Sequence, residues 1–149
     1  MASLTTFFIN LASVLIFIPL NALILWALLK LFKLKENKYL AALKVAALAE
    51  IILFFAGEVF GLAFNSAVTP TAGIATLAGV GALLLATSLF ITVAVNSFLV
   101  KKFYNQKTGK AILIGTIWMV ANWTLGMVLG AIVFAIAASA LIITGARPA

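Results

Sequence analysis

Hydrophobic residues follow one another along most of this chain in four long segments, which polar positions interrupt only briefly. The segments cover about 7–29, 39–64, 72–100 and 111–144. A helix of roughly 20 apolar residues crosses the hydrocarbon core of a bilayer, which is about 30 Å thick. Each segment reaches that length. The pattern therefore predicts an all-α, integral-membrane-like protein whose four long hydrophobic helices form two tandem helical hairpins.

The third and fourth segments are longer than a bilayer requires. At about 1.5 Å per residue they would extend roughly 40 to 50 Å. We expect them to tilt, to break at a glycine, or to lie in surroundings other than an ordinary bilayer. The linker 65–71 between the hairpins is uncharged and contains Pro70, which favours the end of a helix.

Positive charge is concentrated at the two hairpin tips, KLFKLKENK (30–38) and KKFYNQKTGK (101–110), whereas the one arginine is Arg147. Lysines on one side of a membrane protein indicate its cytoplasmic side. We therefore expect both tips to lie on the cytoplasmic or interior side, with both termini outside. Every lysine of the chain belongs to a tip or its first flanking turn: Lys30, Lys33, Lys35, Lys38, Lys44, Lys101, Lys102, Lys107 and Lys110.

Composition supports an apolar environment, since 66% of the 149 residues are hydrophobic and only 9% are charged. A soluble domain is roughly half apolar and about a quarter charged. A fold of this size could not hide so much apolar surface from water. We expect a single domain, 1–149, surrounded by lipid or by copies of itself.

The chain has no cysteine and no histidine, and its acidic residues number three. These absences exclude disulfides, thiol nucleophiles and histidine-based catalysis, and they leave few ligands for a metal. No phosphate-binding glycine loop occurs either. We therefore predict a protein that is not an enzyme and that holds no metal and no cofactor.

The two halves of the chain resemble each other, which predicts duplicated hairpins over 7–64 and 72–144. Lys30 and Phe32 of the first tip correspond to Lys101 and Phe103 of the second. In each half, the helix that follows the tip carries a Gly-x-x-x-Gly pattern. Chance similarity between two apolar sequences is the alternative explanation.

The glycine pairs Gly57/Gly61 and Gly126/Gly130 are candidate helix-packing residues. Two glycines spaced four apart lie on one face of a helix and allow a second backbone to approach closely. The partner could be another copy of the chain, or the neighbouring helix of the same hairpin. The second interpretation is the one that we favour.

Glu50 and Asn122 form a possible intramembrane polar site, since both are expected near mid-membrane depth. An ionisable group there costs several kcal/mol unless it is paired or protonated. With the hydroxyl residues of 87–92, Glu50 could carry a proton or bind a cation. We favour a structural role, in which a protonated Glu50 bonds to Asn122 or to the indole of Trp118 or Trp123 and sets the helix register.

The basic tips have two candidate partners. Lysines attract anionic headgroups, at about 1 kcal/mol per side chain. They could instead bind the nucleic-acid backbone without sequence specificity. Charge alone favours the headgroups.

The tandem hydrophobic hairpins, the small-residue helices, the two basic tips and the lack of Cys and His together resemble the coat (major capsid) proteins of spindle-shaped archaeal viruses. The resemblance implies a helical hydrophobic protein that forms the virion shell, with hairpin tips towards the DNA and termini outward. Copies of the chain itself, lipid and nucleic-acid backbone are then the expected partners.

From these observations we expect a non-enzymatic structural protein in a membrane or a virion shell. Its apolar helices would self-assemble into a coat or membrane-like shell, with the tips facing genome DNA or lipid headgroups. The alternative is a small four-span transporter, channel or accessory subunit that uses Glu50.

Overall fold

A computed structural model of the chain describes residues 4–67 and 74–144. Its helices are α1 (Leu4–Leu31), α2 (Tyr39–Ala67), α3 (Ile74–Tyr104) and α4 (Thr108–Thr144), and these described ranges contain no strand. Each helix includes a stretch that is long and apolar enough to cross a membrane. The prediction of an all-α fold with four long hydrophobic helices is confirmed.

The helices form an up-down-up-down bundle in which each packs on two neighbours. Contacts are most extensive within the hairpins α1–α2 and α3–α4, less so between α2 and α3, and least between α1 and α4. The diagonal pairs, α1 with α3 and α2 with α4, do not pack on each other within the described ranges. Short connections favour this antiparallel arrangement of neighbours.

The long helices α3 and α4 continue without a break. They contain 31 and 37 residues, or about 47 and 56 Å at the usual rise of an α-helix. Neither ends at an internal glycine, so the predicted break at a glycine does not occur. In a bilayer of ordinary thickness these helices would have to tilt or extend beyond the hydrocarbon core.

The second tip is shorter than the sequence pattern predicts. Helix α3 extends through Lys101 and Lys102 to Tyr104, and α4 begins at Thr108, so the connection comprises only 105–107. Lysines are favourable in the last turn of a helix because the helix dipole places negative charge there. Their charge therefore marks the end of the apolar run and not the end of the helix.

Both tips close with the same helix-capping geometry. Lys33 and Asn105 follow α1 and α3 with positive φ angles of 51° and 48°. The amide of Leu34 bonds to the carbonyl of Leu29 at 3.0 Å, and the amide of Gln106 bonds to the carbonyl five residues earlier at 3.3 Å. These bonds are typical of the Schellman motif. The shared cap agrees with two equivalent hairpins, while their duplication stays a prediction.

The packed core occupies the half of the bundle nearest the tips. Towards the other end, large side chains such as Phe55, Phe90 and Phe134 are 59%, 75% and 75% exposed. So much exposed apolar surface calls for lipid or another protein. The buried hydrophobic residues are Ala22, Leu25, Leu28, Leu29, Leu34, Ala42, Val45, Ala46, Ala49, Leu99, Val100, Tyr104, Ala111, Ile114 and Trp118.

Candidate functional site

A hydrogen bond between polar side chains joins α1 to α2 inside the first hairpin. The Nδ2 of Asn21, which is 6% exposed, donates to Oε1 of the half-buried Glu50. Both residues lie about 15 Å along their helices from the tip. The depth of Glu50 in a membrane stays a prediction, but the partners expected for it are not the one that it contacts. Glu50 pairs with Asn21 instead of Asn122 or an indole.

Glu50 does not reach Asn122 because of the order in which the helices are arranged around the bundle. Asn122 belongs to α4, which stands diagonally to α2 and does not pack on it within the described ranges. The Oδ1 of Asn122 and the Nε1 of Trp118 are buried there without a hydrogen-bond partner, and Trp123 is 40% exposed. The structure therefore does not join Glu50 and Asn122 into one polar site.

The hydroxyl residues of 87–92 form hydrogen bonds within their own helix, α3, and not with Glu50. Thr87, Ser88 and Thr92 donate to carbonyl oxygens three or four residues earlier in their own helix, at 2.8 to 2.9 Å. Such bonds satisfy a hydroxyl in an apolar environment without a second helix. The predicted polar band consequently provides little for a proton or cation to follow.

The four glycines of the Gly-x-x-x-Gly patterns lie on exposed helix surfaces. A Cβ atom added at Gly57, Gly61, Gly126 or Gly130 would meet no heavy atom of a neighbouring helix within 4 Å. The interpretation that these glycines pack the hairpins internally is therefore wrong. We call the pair on α2 and the pair on α4 the glycine seams.

The glycine that does pack the second hairpin is Gly115. A Cβ atom at this position would lie 2.6 Å from the Oγ of Ser97 and 2.8 Å from its backbone N. The sequence analysis missed this contact. Ala111 and Gly115 form a small-x-x-x-small pair, which is the signal that could have revealed it.

The tip lysines all lie at one end of the bundle with exposed side chains. The two tips contact each other, because Lys110 Nζ donates to the backbone carbonyl of Phe32 at 3.2 Å. Lys30 lies over the ring of Trp26, 3.8 Å from its centroid. No tip lysine forms an ion pair in the part of the chain that the structure describes. The charge of this end is thus not offset by ion pairs within the described ranges.

A cleft of about 430 Å³ separates the two tips, and we call it the tip cleft. The first tip contributes Lys33, Lys35 and Glu36, and the second contributes Gln106 and Lys110. Three lysines and one carboxylate therefore line a space large enough for a phosphate group. The site residues predicted from charge are brought together here in part, since the other tip lysines lie outside the cleft.

The described residues contain no cluster of His, Asp and Glu that could hold a metal ion. Taken together, the geometry offers a basic end, an apolar body and two exposed glycine seams. No protein-family model, no curated protein and no solved structure matches this chain. Its function therefore has to be inferred from its own residues and their arrangement.

Proposed function

We propose that this chain is a non-enzymatic structural protein that self-assembles through its apolar helices into a virion coat or membrane-like shell. The observation that carries the proposal is the open space beside the glycine seams. Paired glycines in apolar helices favour close approach of another helix, and no helix of the same chain approaches Gly57, Gly61, Gly126 or Gly130 within the described ranges. A helix of a second copy would supply the missing partner.

The number of seams supports an assembly larger than a dimer. One seam belongs to α2 and the other to α4, and these helices stand diagonally in the bundle. Two seams on different sides allow each copy to bind two neighbours. Contacts between unlike surfaces continue into rings or extended assemblies unless symmetry closes them.

The basic tips then form one face of the assembly. In a bilayer this face would meet anionic headgroups on the cytoplasmic side. In a coat it would meet the phosphates of a packaged genome, as the resemblance to coat proteins of spindle-shaped archaeal viruses implies. Both arrangements place the tips on the interior side and the termini outside.

The double substitution Gly57→Leu/Gly61→Leu tests the proposal. We expect the monomer to fold, because no neighbouring atom lies within 4 Å of either position. Overpacking an interface costs about 1–3 kcal/mol, so association should weaken by roughly fivefold to 150-fold. Multi-angle light scattering in mild detergent, with electron microscopy of the reconstituted protein, measures the change.

The matched control is Gly81→Leu, which is equally open but has a leucine, not a small residue, four positions away on either side. It should assemble like the wild type. Particles or sheets formed by the double variant at wild-type concentrations would contradict the proposal. So would a discrete wild-type oligomer with a polar pore lined by Glu50.

The second candidate function is transport, which the bond between Asn21 and Glu50 favours because ionisable groups inside membranes are often functional. Glu50→Gln keeps an acceptor for Asn21 and removes the charge. The structural proposal predicts unchanged assembly and no flux in either protein. A wild-type proton or cation flux into proteoliposomes that Glu50→Gln abolishes and Glu58→Gln preserves would establish transport instead.

A further inference from the structure

The tip cleft is suited to a single phosphate group. Lys33, Lys35 and Lys110 line it, and Glu36 is the only carboxylate among its lining residues. Lys110 lies in the first turn of α4, which contains no acidic residue. No carboxylate in this first turn therefore offsets the positive end of the dipole of α4. The dipole adds to the attraction for an anion.

A second cavity of about 330 Å³ adjoins the tip cleft between the start of α2 and the end of α3. Its apolar lining includes Leu40, Ala41 and Val45, and we call it the apolar groove. Glu36, Phe103 and Tyr104 line both cavities. The two cavities thus share a wall; the tip cleft has three lysines, and the apolar groove has an apolar floor with Lys38 and Lys44 beside it.

Such a pair of cavities fits an amphiphile better than a nucleic acid. Leu40 and Phe103 are 68% and 43% exposed, and a DNA backbone would leave them uncovered. An acyl chain would cover them, while its phosphate would lie among the lysines. The cavities also lie where the apolar helices end, which is the depth of the headgroups in a bilayer.

We propose that the tip cleft and the apolar groove together bind one anionic phospholipid, with its phosphate between the two tips and one acyl chain along α2 and α3. The inference rests on the proposed function, in which the basic tips meet an anionic partner, and it names that partner. Lys38 and Lys44, which also line the apolar groove, add positive charge beside the bound headgroup. The lipid would join the two hairpins at the tip end.

The experiment measures lipid retention by the intact chain in uncharged detergent, using native mass spectrometry with added phosphatidylglycerol. The variant Lys33→Gln/Lys35→Gln should bind the lipid about tenfold more weakly or worse. Its control, Lys101→Gln/Lys102→Gln, removes the same charge from residues that line neither cavity and should stay within about twofold of wild type. Equal losses in both variants would overturn the proposal in favour of diffuse attraction.

The apolar groove has its own pair of variants. Leu40→Gln should weaken retention of long-chain phosphatidylglycerol severalfold, whereas Leu31→Gln, equally exposed but outside both cavities, should not. Inorganic phosphate at millimolar concentration should not displace the lipid, and neither should a short DNA duplex. Displacement by phosphate would indicate a site for free anions, and displacement by DNA a nucleic-acid site. Either result would overturn the assignment.

The two proposals can fail separately. Gly57→Leu/Gly61→Leu should retain the lipid in detergent, since its substitutions lie far from the tips. Loss of assembly with retained lipid supports both proposals. Normal assembly of this variant refutes the proposed function alone, and absence of cleft-dependent lipid binding refutes the lipid site alone.

Discussion

Replacing Gly115 with alanine is expected to lower the free energy of unfolding by about 1–3 kcal/mol, the usual range for overpacking a tight interior. The added Cβ would lie 2.6 Å from the Oγ of Ser97 and 2.8 Å from its backbone N. A hydroxyl can rotate away, but a backbone nitrogen cannot, so α3 and α4 must move apart. Unfolding of the detergent-solubilised protein in increasing SDS, followed by circular dichroism, measures the loss.

Gly109→Ala is the matched control on the same helix, because no atom lies within 4 Å of a Cβ there. It should leave stability unchanged or raise it by up to about 1 kcal/mol, since alanine is the better helix former. Ser97→Ala should rescue Gly115→Ala only partly, because the backbone obstacle remains. A Gly115→Ala protein as stable as wild type would show that the two helices do not approach as closely as described.

The second large effect is expected at the bond between Asn21 and Glu50. Asn21→Leu should destabilise the protein by about 1–2 kcal/mol, because it leaves a half-buried carboxyl group without its donor. Glu50→Leu should destabilise the protein by a similar amount, because it leaves the buried amide of Asn21 without its acceptor. The double variant should be more stable than the sum of the two losses predicts, and the same SDS titration yields this coupling energy.

The control cycle combines Asn21→Leu with Glu58→Leu. Glu58 lies eight residues beyond Glu50 on α2, about 12 Å along the helix. Substitutions more than about 10 Å apart usually give additive effects within about 0.5 kcal/mol, so this pair should show little coupling. Additivity in the Asn21 and Glu50 cycle would contradict the described bond. Strong coupling to Glu58 would point to a different pairing between α1 and α2.

The sequence was sufficient to predict the four helices because the apolar runs are long and the lysines mark their ends. The sequence also predicted that the lysines lie at one end of the bundle, because they occur only where the apolar runs meet at the two tips. The glycine pairs were predicted to pack within each hairpin because the sequence does not show which face of a helix points towards its neighbour. Apolar side chains surround α4 on all sides, and α2 has only a weak polar bias towards one face. No distinct polar stripe therefore separates their inner side from their outer side.

The partner of Glu50 was missed for a related reason. The position of Glu50 along α2 follows from counting residues, and its depth in a membrane stays a prediction. Which helices are neighbours depends on the order of packing, which the sequence does not state. Judged by position along the helices alone, Asn21 and Asn122 were equally acceptable partners for Glu50. Only the arrangement of the helices in the bundle distinguishes them.

The concentration of the core at the tip end has a mechanical consequence. Hydrophobic burial holds the four helices together there, whereas buried side chains become scarce towards the opposite ends among the residues whose burial the structure describes. Regions with few buried contacts open at low free energy, so we expect the bundle to widen and narrow at its terminal end while its basic end keeps its dimensions. If the chain forms the proposed shell, units of this kind would let the shell vary its radius of curvature from place to place without a second type of subunit.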